Sequence, residues 1–212
     1  MITNSKSMRE SPLFMRNNFA KCGKYEIPQI CKQELDLNNL TLISYSDTHS
    51  TENVENMQKG VHFFIDDYKF EGIYKNPERT LKKLMQYKFL LTPDFSLYAD
   101  MDIWKQIENV AKNRWCGAYW QNKGMKVIPT ISWSSPSSFE FCFDGVEEGS
   151  IVAIGMIGCK RNKRMFMLGY KEMLSRIKPS VIICLGTPFH EMEGNIIAID
   201  YISSRRINRN GR

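Results

Sequence analysis

Short apolar segments recur along the chain, and amphipathic segments separate several of them. The apolar segments lie at residues 40–45, 61–65, 88–92, 126–133, 150–157, 180–185 and 195–202. Runs of this length that are almost entirely apolar and rich in β-branched residues are typical of strands buried on both faces of a parallel sheet. The pattern therefore predicts about six or seven strands.

Three of the intervening segments have the spacing and end signals of helices. Asn76 and Pro77 suit the N-cap and first position of one helix, since proline at that position gives up no hydrogen bond. A second helix is predicted from about Ile103 to Gln121, where Gly124 follows as a stop. A third is predicted over Arg164–Ile177.

Alternation of buried strands with helices indicates an α/β fold with a mostly parallel sheet. Two architectures fit this order: a TIM-barrel-like fold, complete or reduced, and, as second choice, an open doubly wound sheet. We favour the barrel because polar residues follow strand after strand at the same end. In either architecture, ligands bind at the carboxyl ends of the strands.

The flanks differ from this central pattern. Residues 1–37 are polar and irregular and predict an arm that packs on the body, residues 38–202 predict one α/β domain, and residues 203–212 form a basic tail. Within the body, Phe139, Phe141 and Phe143 alternate with polar residues, which indicates an edge strand or a short hairpin.

Charge and cysteine content narrow the class of protein. The net charge is +6 with a pI near 8.9, and arginines are concentrated in the C-terminal quarter. Such a tail can contact nucleic acid, although solubility is the commoner explanation. The six cysteines contain no CxxC pair, which indicates free thiols in a reducing cytoplasm. No signal peptide or membrane-length apolar run is visible, so we expect a cytoplasmic protein without membrane contact.

Polar residues at the strand ends supply the candidate site. Asp66, Asp67 and Asp94 follow the second and third strands, and in a parallel sheet they point to one rim. Converging carboxylates can divide into acid and base or bind a divalent cation, so we take these three as candidate catalytic residues with the metal left unknown. The alternative is that each aspartate only caps a turn, which aspartate does very often.

Six further residues are candidates for substrate binding. Arg114 is a charged residue among apolar neighbours and needs a partner. Tyr119 and Gln121 lie on the same predicted helix, Trp133 and Ser134 follow the fourth strand, and Thr187 follows the sixth. The chain has no P-loop, GxGxxG or HExxH motif, and its serines and histidines show no hydrolase pattern.

Several motifs together resemble a known family. The segments FIDDY, TPDFS, RWCGAYWQ and VIPTISW, at residues 64–68, 92–96, 114–121 and 127–133, are similar to those of a family of phage, prophage and plasmid proteins from Gram-positive bacteria, described as a domain of unknown function. The similarity extends from about Leu40 to Leu185. It implies a mobile genetic element in a bacterial cytoplasm and assigns no catalytic residue.

Two functions remain open at this level. The first is an enzyme with a carboxylate-rich site at the strand rim, acting on a nucleotide, nucleic acid or sugar-phosphate. The second is a non-catalytic phage-encoded regulator that engages a host protein, a nucleotide signal or DNA through exposed Tyr119 and Trp120 and the basic tail. We favour the enzyme slightly, because polar groups repeat at successive strand ends.

Overall fold

The computed structural model describes residues 5–204, and within them it contains nine strands and seven α-helices. The strands are β1 (Lys21–Cys22), β2 (Ile27–Pro28), β3 (Leu42–Ser44), β4 (Gly60–His62), β5 (Phe89–Leu91), β6 (Val127–Ile128), β7 (Ile151–Gly155), β8 (Val181–Leu185) and β9 (Ile196–Ile199). The helices are α1 (Ser5–Arg9), α2 (Pro12–Met15), α3 (Val54–Met57), α4 (Glu71–Lys75), α5 (Pro77–Leu84), α6 (Ile103–Asn122) and α7 (Lys163–Ile177).

The strands after the N-terminal ribbon are all parallel. β1 and β2 form an antiparallel pair, β3 to β6 form a four-stranded parallel sheet, and β7 to β9 form a three-stranded parallel sheet. A parallel bridge between Thr130 and Ala153 joins the chain just after β6 to β7. The chain thus has a mixed α/β fold in which seven parallel strands follow one another in chain order.

The seven predicted apolar segments each overlap a strand of this fold, although the strands are shorter than predicted and β4 begins one residue before its segment, at Gly60. The largest difference is at 126–133, where β6 ends at Ile128 and the chain leaves the sheet after the bridge at Thr130. Helices α5, α6 and α7 begin at Pro77, Ile103 and Lys163, within one residue of the sequence prediction.

The prediction of an edge strand or hairpin around Phe139 is wrong. Residues Pro136–Glu140 form a 3-10 helix, and the backbone amides of Phe141 and Cys142 both bond to the carbonyl of Ser138. The three phenylalanines of this segment are buried against α7 and its neighbours, so the alternating pattern reflects packing of a coiled segment and not a pleated strand.

The apolar core has three clusters, because successive side chains of each strand point to opposite faces of the sheet. One cluster takes its residues from one face of successive strands, including Leu42, Leu91, Ala153 and Leu185. The other strand face packs against helices in two further clusters, one containing Val152 and α7 and the other containing Val61 and α4. Helix α6 contributes to both outer clusters, which explains why most of its surface is buried.

Both ends of the described chain are attached to this body. Ile27 and Ile30 of the predicted N-terminal arm are fully buried. At the other end, Ser204 is buried and its carbonyl accepts a hydrogen bond from the backbone amide of Ser44 in β3 at 3.0 Å. The division into arm, body and tail stays a prediction, and residues 205–212 of the tail lie outside the described residues. Within residues 5–204, no helix is both long and apolar enough to cross a membrane.

Candidate functional site

A cavity of about 1030 Å³ opens at the carboxyl ends of four consecutive strands. Its walls come from residues 64–69 after β4, 94–99 after β5, 132–134 after β6, and 155–159 at the end of β7. Side chains of α6 and α7 and Tyr201 complete the lining. Because the strands are parallel, their carboxyl ends meet on one side of the sheet, and the cavity lies where this geometry places ligands.

Asp94 lies in this cavity with an unusual environment. Its Oδ1 is fully buried and has no hydrogen-bond partner within the described part of the chain. Burial raises the pKa of Asp94 to about 7, and the charge of Asp67 adds to the rise, while a hydrogen bond from Ser132 opposes it. A carboxyl group with this pKa exists in both protonation states near neutral pH.

The other two predicted catalytic carboxylates already have partners. Asp67 accepts two hydrogen bonds from Ser96, from the backbone amide to Oδ2 at 3.1 Å and from the hydroxyl to Oδ1 at 2.8 Å. Asp66 forms an exposed ion pair with Lys69 at 2.9 Å, and the hydrogen bond from Lys69 lowers the pKa of Asp66. Asp67 thus links the end of β4 to the end of β5, and Asp66 lies at the rim.

Two amides on α6 hold the loops that surround the cavity. Asn109 Nδ2 donates to the carbonyl of Ser96 at 2.8 Å, and Gln106 Nε2 donates to the carbonyl of Met101 at 2.7 Å. The hydroxyl of Ser134 donates to Oε1 of Gln106. With the Asp67–Ser96 contact, these bonds form a continuous polar connection between the ends of β4, β5 and β6. Both amides are buried and donate to main-chain carbonyls, so we assign them a positioning role.

The carboxylates of the cavity do not form a metal site. Across residues 5–204, no group of three or more histidine, cysteine, aspartate and glutamate side chains is arranged to hold a metal ion. Asp66 and Asp67 are occupied by Lys69 and Ser96, and a single free carboxylate is a poor ligand set for a hard divalent cation, which takes six or more oxygens. The donor set of the cavity therefore does not fit a metal ion.

The lysines that line the cavity are each paired with an acid. Lys105 and Lys112 both contact Glu108, at 2.7 and 2.6 Å, and Lys69 contacts Asp66. Lys105 and Lys112 share one acid, but four acidic side chains line the cavity against these three lysines, so the lining has no excess of positive charge for an anionic ligand. Among the charged side chains that line the cavity, Asp94 is the one whose buried oxygen has no partner in the described chain.

Cys159 is the cysteine in the described lining of the cavity. Its thiol donates weakly to the carbonyl of Gly155, and burial together with the charge of Asp94 raises its pKa to about 11. A thiol with this pKa is almost entirely protonated at neutral pH, and the thiolate is the reactive form. Cys159 is therefore a neighbour of Asp94 and not an activated nucleophile.

Two glycines bring aromatic rings to the cavity wall. A Cβ on Gly155 would lie 2.7 Å from Cδ1 of Phe64, and a Cβ on Gly169 would lie 2.2 Å from Cδ1 of Trp133. Neither distance is possible for a real side chain, so glycine at these positions allows Phe64 to lie on β7 and Trp133 to lie on α7. Trp133 also packs against Phe166, with ring centroids 5.1 Å apart.

The structure brings together five of the nine predicted site residues. Asp66, Asp67, Asp94, Trp133 and Ser134 all line the cavity. Their assembly follows from the parallel strand order, because each lies after the carboxyl end of a strand. Their catalytic and binding roles stay predictions.

Arg114 lies in the interior and not at the cavity. Its guanidinium donates to the carbonyls of Asp144, Thr130 and Cys142 at 2.8 to 3.0 Å and to Oδ1 of Asn113 at 2.6 Å. Burial lowers the pKa of Arg114 to about 10, which leaves it charged at neutral pH. The sequence predicted that the charge of Arg114 has a partner. That partner is a set of main-chain carbonyls, which gives Arg114 a structural role.

The remaining three predicted binding residues also lie away from the cavity lining. Tyr119 is buried and stacks on Trp115 with ring centroids 5.1 Å apart. Gln121 accepts from the amide of Cys31 at 2.9 Å and donates to its carbonyl at 2.7 Å, which attaches the N-terminal segment to α6. Thr187 is exposed in the loop after β8. Burial of Tyr119 and Trp120 also removes them as exposed contacts for a partner.

Sequence reasoning did not select Ser132, Asn109 or Tyr201 as site residues. Ser132 was placed inside a strand that in fact ends four residues earlier, at Ile128. Asn109 lies on the face of α6 that meets the loop after β5, and the helical pattern gave no sign of which face that would be. Ser132 lies between Ile131 and Trp133, inside the predicted strand, so the sequence carried no clear signal for it.

Comparison with known proteins agrees with the similarity noted in the sequence. The chain is 38% identical over 181 residues to the Gene 1 protein of Mycobacterium phage L5, which covers 84% of this chain and 78% of that protein. It is 38% identical over 177 residues to the Gene 1 protein of Mycobacterium phage D29, covering 82% of this chain and 65%, just under two thirds, of that protein. No solved structure matches the chain. Residues 19–202 match the family model described as "Domain of unknown function (DUF4417)", and the chain therefore belongs to this family of phage-type proteins.

Proposed function

We propose that the chain is an enzyme that uses Asp94 as a proton-transferring group in the cavity at the strand carboxyl ends. The substrate class that we propose is a nucleotide, nucleic acid or sugar-phosphate, in keeping with the phage setting of the relatives. The observation that carries the proposal is the buried Oδ1 of Asp94, which has no partner in the described chain and lies in a large cavity.

The environment of Asp94 supports this role, because it lowers the stability of the fold when no ligand is bound. Placing an unpaired carboxyl oxygen in a buried position destabilises a fold unless a partner is added, and a ligand donor is such a partner. A pKa near 7 lets Asp94 accept and return a proton at the operating pH, which is what general acid–base catalysis needs. Perturbed pKa values in clefts are more frequent at functional sites than elsewhere.

We also propose that the seven parallel strands form a reduced TIM-barrel-like arrangement, with an open doubly wound sheet as the alternative. One apolar cluster draws on β3, β5, β6, β7 and β8, with Ile199 of β9 packed against it, as expected of a barrel interior. The hydrogen bond from Ser44 in β3 to Ser204, shortly after β9, brings the two ends of the strand series together. This arrangement supports the site because barrel sites lie at the strand carboxyl ends.

The experiment is a turnover assay of the purified chain against nucleotides, single-stranded and double-stranded nucleic acid and sugar-phosphates. We expect Asp94→Asn to abolish any turnover found while the melting temperature stays equal to that of the wild type or rises. Asp100→Asn, an exposed aspartate on the same loop, is the matched control and should retain activity. Turnover that survives Asp94→Asn would rule out the proposed role.

A non-catalytic regulator that engages a host protein, a nucleotide signal or DNA is the second candidate. One observation favours it: Tyr98, which lines the cavity, is exposed, as are Ile103 and Trp104 at the start of α6, with 66% of Trp104 accessible. Exposed aromatic residues of this kind are frequent at binding surfaces. This surface replaces the buried Tyr119 and Trp120 as the candidate contact.

The DNA version of this second candidate is tested by removing the basic tail. Because Ser204 is buried and bonded to Ser44, the deletion should begin at residue 205 so that the fold is retained. If the tail contacts phosphates, deletion of 205–212 lowers the affinity for DNA and reduces its dependence on salt concentration. Unchanged affinity and salt dependence would remove the tail as a nucleic-acid contact.

A further inference from the structure

The side chains that line the cavity around Asp94 suit the planar base of a nucleotide better than its phosphate. Seven aromatic residues of the described chain contribute to its lining: Phe64, Tyr68, Phe95, Tyr98, Trp133, Phe166 and Tyr201. Its volume of about 1030 Å³ is at the upper end of the range of about 300–1,000 Å³ for small-molecule sites. Flat aromatic surfaces suit a planar ring system, since base–aromatic stacking is favourable for every nucleobase.

The charges of the cavity argue against recognition through phosphate. Lys69 contacts Asp66, and Lys105 and Lys112 share Glu108, at 2.6 to 2.9 Å. Four acidic side chains line the cavity against these three lysines. Phosphate recognition normally uses uncompensated arginine or lysine side chains, or free backbone amides at a helix start. The unpaired polar atom in the described lining is instead an acceptor, Oδ1 of Asp94.

An acceptor in this position calls for a donor on the ligand. The carboxyl group of Asp94 lines the cavity, and its Oδ1 has no hydrogen-bond partner in the described chain. The lactam N–H of a purine or pyrimidine ring, or its exocyclic amino group, is a planar donor that can bond to the partly exposed carboxyl group of Asp94 while the ring stays in contact with aromatic neighbours. A sugar hydroxyl is also a donor, but it offers no face for stacking.

We infer that the cavity binds a nucleobase, with Asp94 accepting a hydrogen bond from a ring or amino N–H and the aromatic walls contacting the ring, and that the phosphate of a nucleotide contributes little to its affinity. This inference rests on the proposed function, since it assigns the substrate class of the same cavity. It predicts that a nucleoside and its monophosphate bind with similar strength.

The test is calorimetric titration of the full chain with adenosine, guanosine, cytidine and uridine, their 5′-monophosphates, and ribose 5-phosphate. At least one nucleoside should bind, its monophosphate should bind within about three-fold of it, and ribose 5-phosphate should not bind. Asp94→Asn should weaken nucleoside binding by about 10- to 100-fold, the loss expected for one hydrogen bond to a charged acceptor. Asp100→Asn should leave it unchanged, and melting temperatures of both variants show whether they fold.

The outcomes separate this inference from the proposed catalysis. A monophosphate that binds more than about ten-fold tighter than its nucleoside, or binding of ribose 5-phosphate alone, overturns the inference. Asp94-dependent turnover of a sugar-phosphate without nucleoside binding also overturns it, while the proposed enzyme function stands. Nucleoside binding that depends on Asp94 without any turnover supports the inference and overturns the catalytic proposal.

Discussion

The charge of Asp67 adds to the effect of burial in raising the pKa of Asp94, and both carboxyl oxygens of Asp67 accept hydrogen bonds from Ser96. The two aspartates follow neighbouring parallel strands, β4 and β5, and so meet at the same edge of the sheet. The carboxylate of Asp67 accepts two hydrogen bonds from Ser96, and that of Asp94 is buried, with one oxygen lacking a partner in the described chain. This difference in hydrogen bonding gives Asp67 a contact that holds the loop after β5 and leaves Asp94 as the candidate for contact with a ligand.

The buried carboxyl of Asp94 should make the protein less stable as pH rises. Because the folded-state pKa of Asp94 lies near 7, above its ordinary value of 3.8, the folded chain keeps a proton that the unfolded chain releases. Stability is then lost as pH rises from about 4 to about 7. At 1.36 kcal/mol per pH unit the full loss is about 4 kcal/mol, and Asp94→Asn should not show it.

The measurement is urea unfolding of wild type and Asp94→Asn from pH 4 to pH 8. The difference between the two free energies of unfolding isolates Asp94, because the other titrating groups are shared. If the free energies of unfolding of the two variants change with pH in parallel, Asp94 ionises at its ordinary pKa and is not buried in the folded chain.

The pKa and the alkylation rate of the Cys159 thiol should depend on the charge of Asp94. The pKa of the Cys159 thiol is raised to about 11 by burial and, secondarily, by Asp94. Replacing Asp94 with asparagine removes the negative charge and should lower this pKa, so that alkylation of Cys159 by iodoacetamide at pH 8 becomes severalfold faster. Mass spectrometry of the peptide containing Cys159 follows the rate, and the exposed Cys31 serves as the internal control. An unchanged rate at Cys159 would mean that the two groups do not interact.

Arg114 should behave as a structural residue. Lysine at this position carries one ammonium group and cannot reach acceptors on Asn113, Thr130, Cys142 and Asp144 at once. We expect Arg114→Lys to lower the free energy of unfolding by about 3 kcal/mol, through buried acceptors left without a donor. Arg161→Lys, on an exposed residue, is the control. Normal stability with lost ligand binding would instead support the role that the sequence suggested.

Gly155 should be required for the shape of the cavity. Its added Cβ in Gly155→Ala would lie 2.7 Å from the ring of Phe64, so the ring or the strand must shift. We expect a loss of about 1–3 kcal/mol in the free energy of unfolding, typical of overpacking, and weaker ligand binding. Gly72→Ala is the matched control, because its Cβ would meet nothing within 4 Å, and it should be neutral or slightly stabilising. Equal stability of the two variants would contradict the close contact.

Local sequence determined the strands and the main helices of the fold. Buried parallel strands need apolar residues on both faces, so segments such as 151–155 and 181–185 were identifiable from composition alone. The start of α5 at Pro77 followed from backbone geometry, since proline is favourable at the first helical position. The strand prediction around Phe139 was wrong because apolar and polar residues also alternate in a coiled segment that packs against a helix.

The candidate site was only partly accessible to sequence reasoning. The strand-end rule placed Asp66, Asp67, Asp94, Trp133 and Ser134 at one rim, because the position of a residue after a strand is a local property. The sequence could not show which aspartate is paired. That depends on contacts between segments, such as Asp67 with Ser96, which are 29 positions apart.

By itself, the sequence determined an α/β chain of parallel strands with polar residues at their carboxyl ends, because periodicity and end signals act over a few residues. The tertiary structure decided which polar groups are satisfied. It buried Arg114 among main-chain carbonyls, joined Gln121 to Cys31, and left Oδ1 of Asp94 without a partner in the described chain. Hydrogen-bond satisfaction depends on atoms that meet only when distant segments pack, and it is this property that distinguishes the candidate site from the rest of the rim.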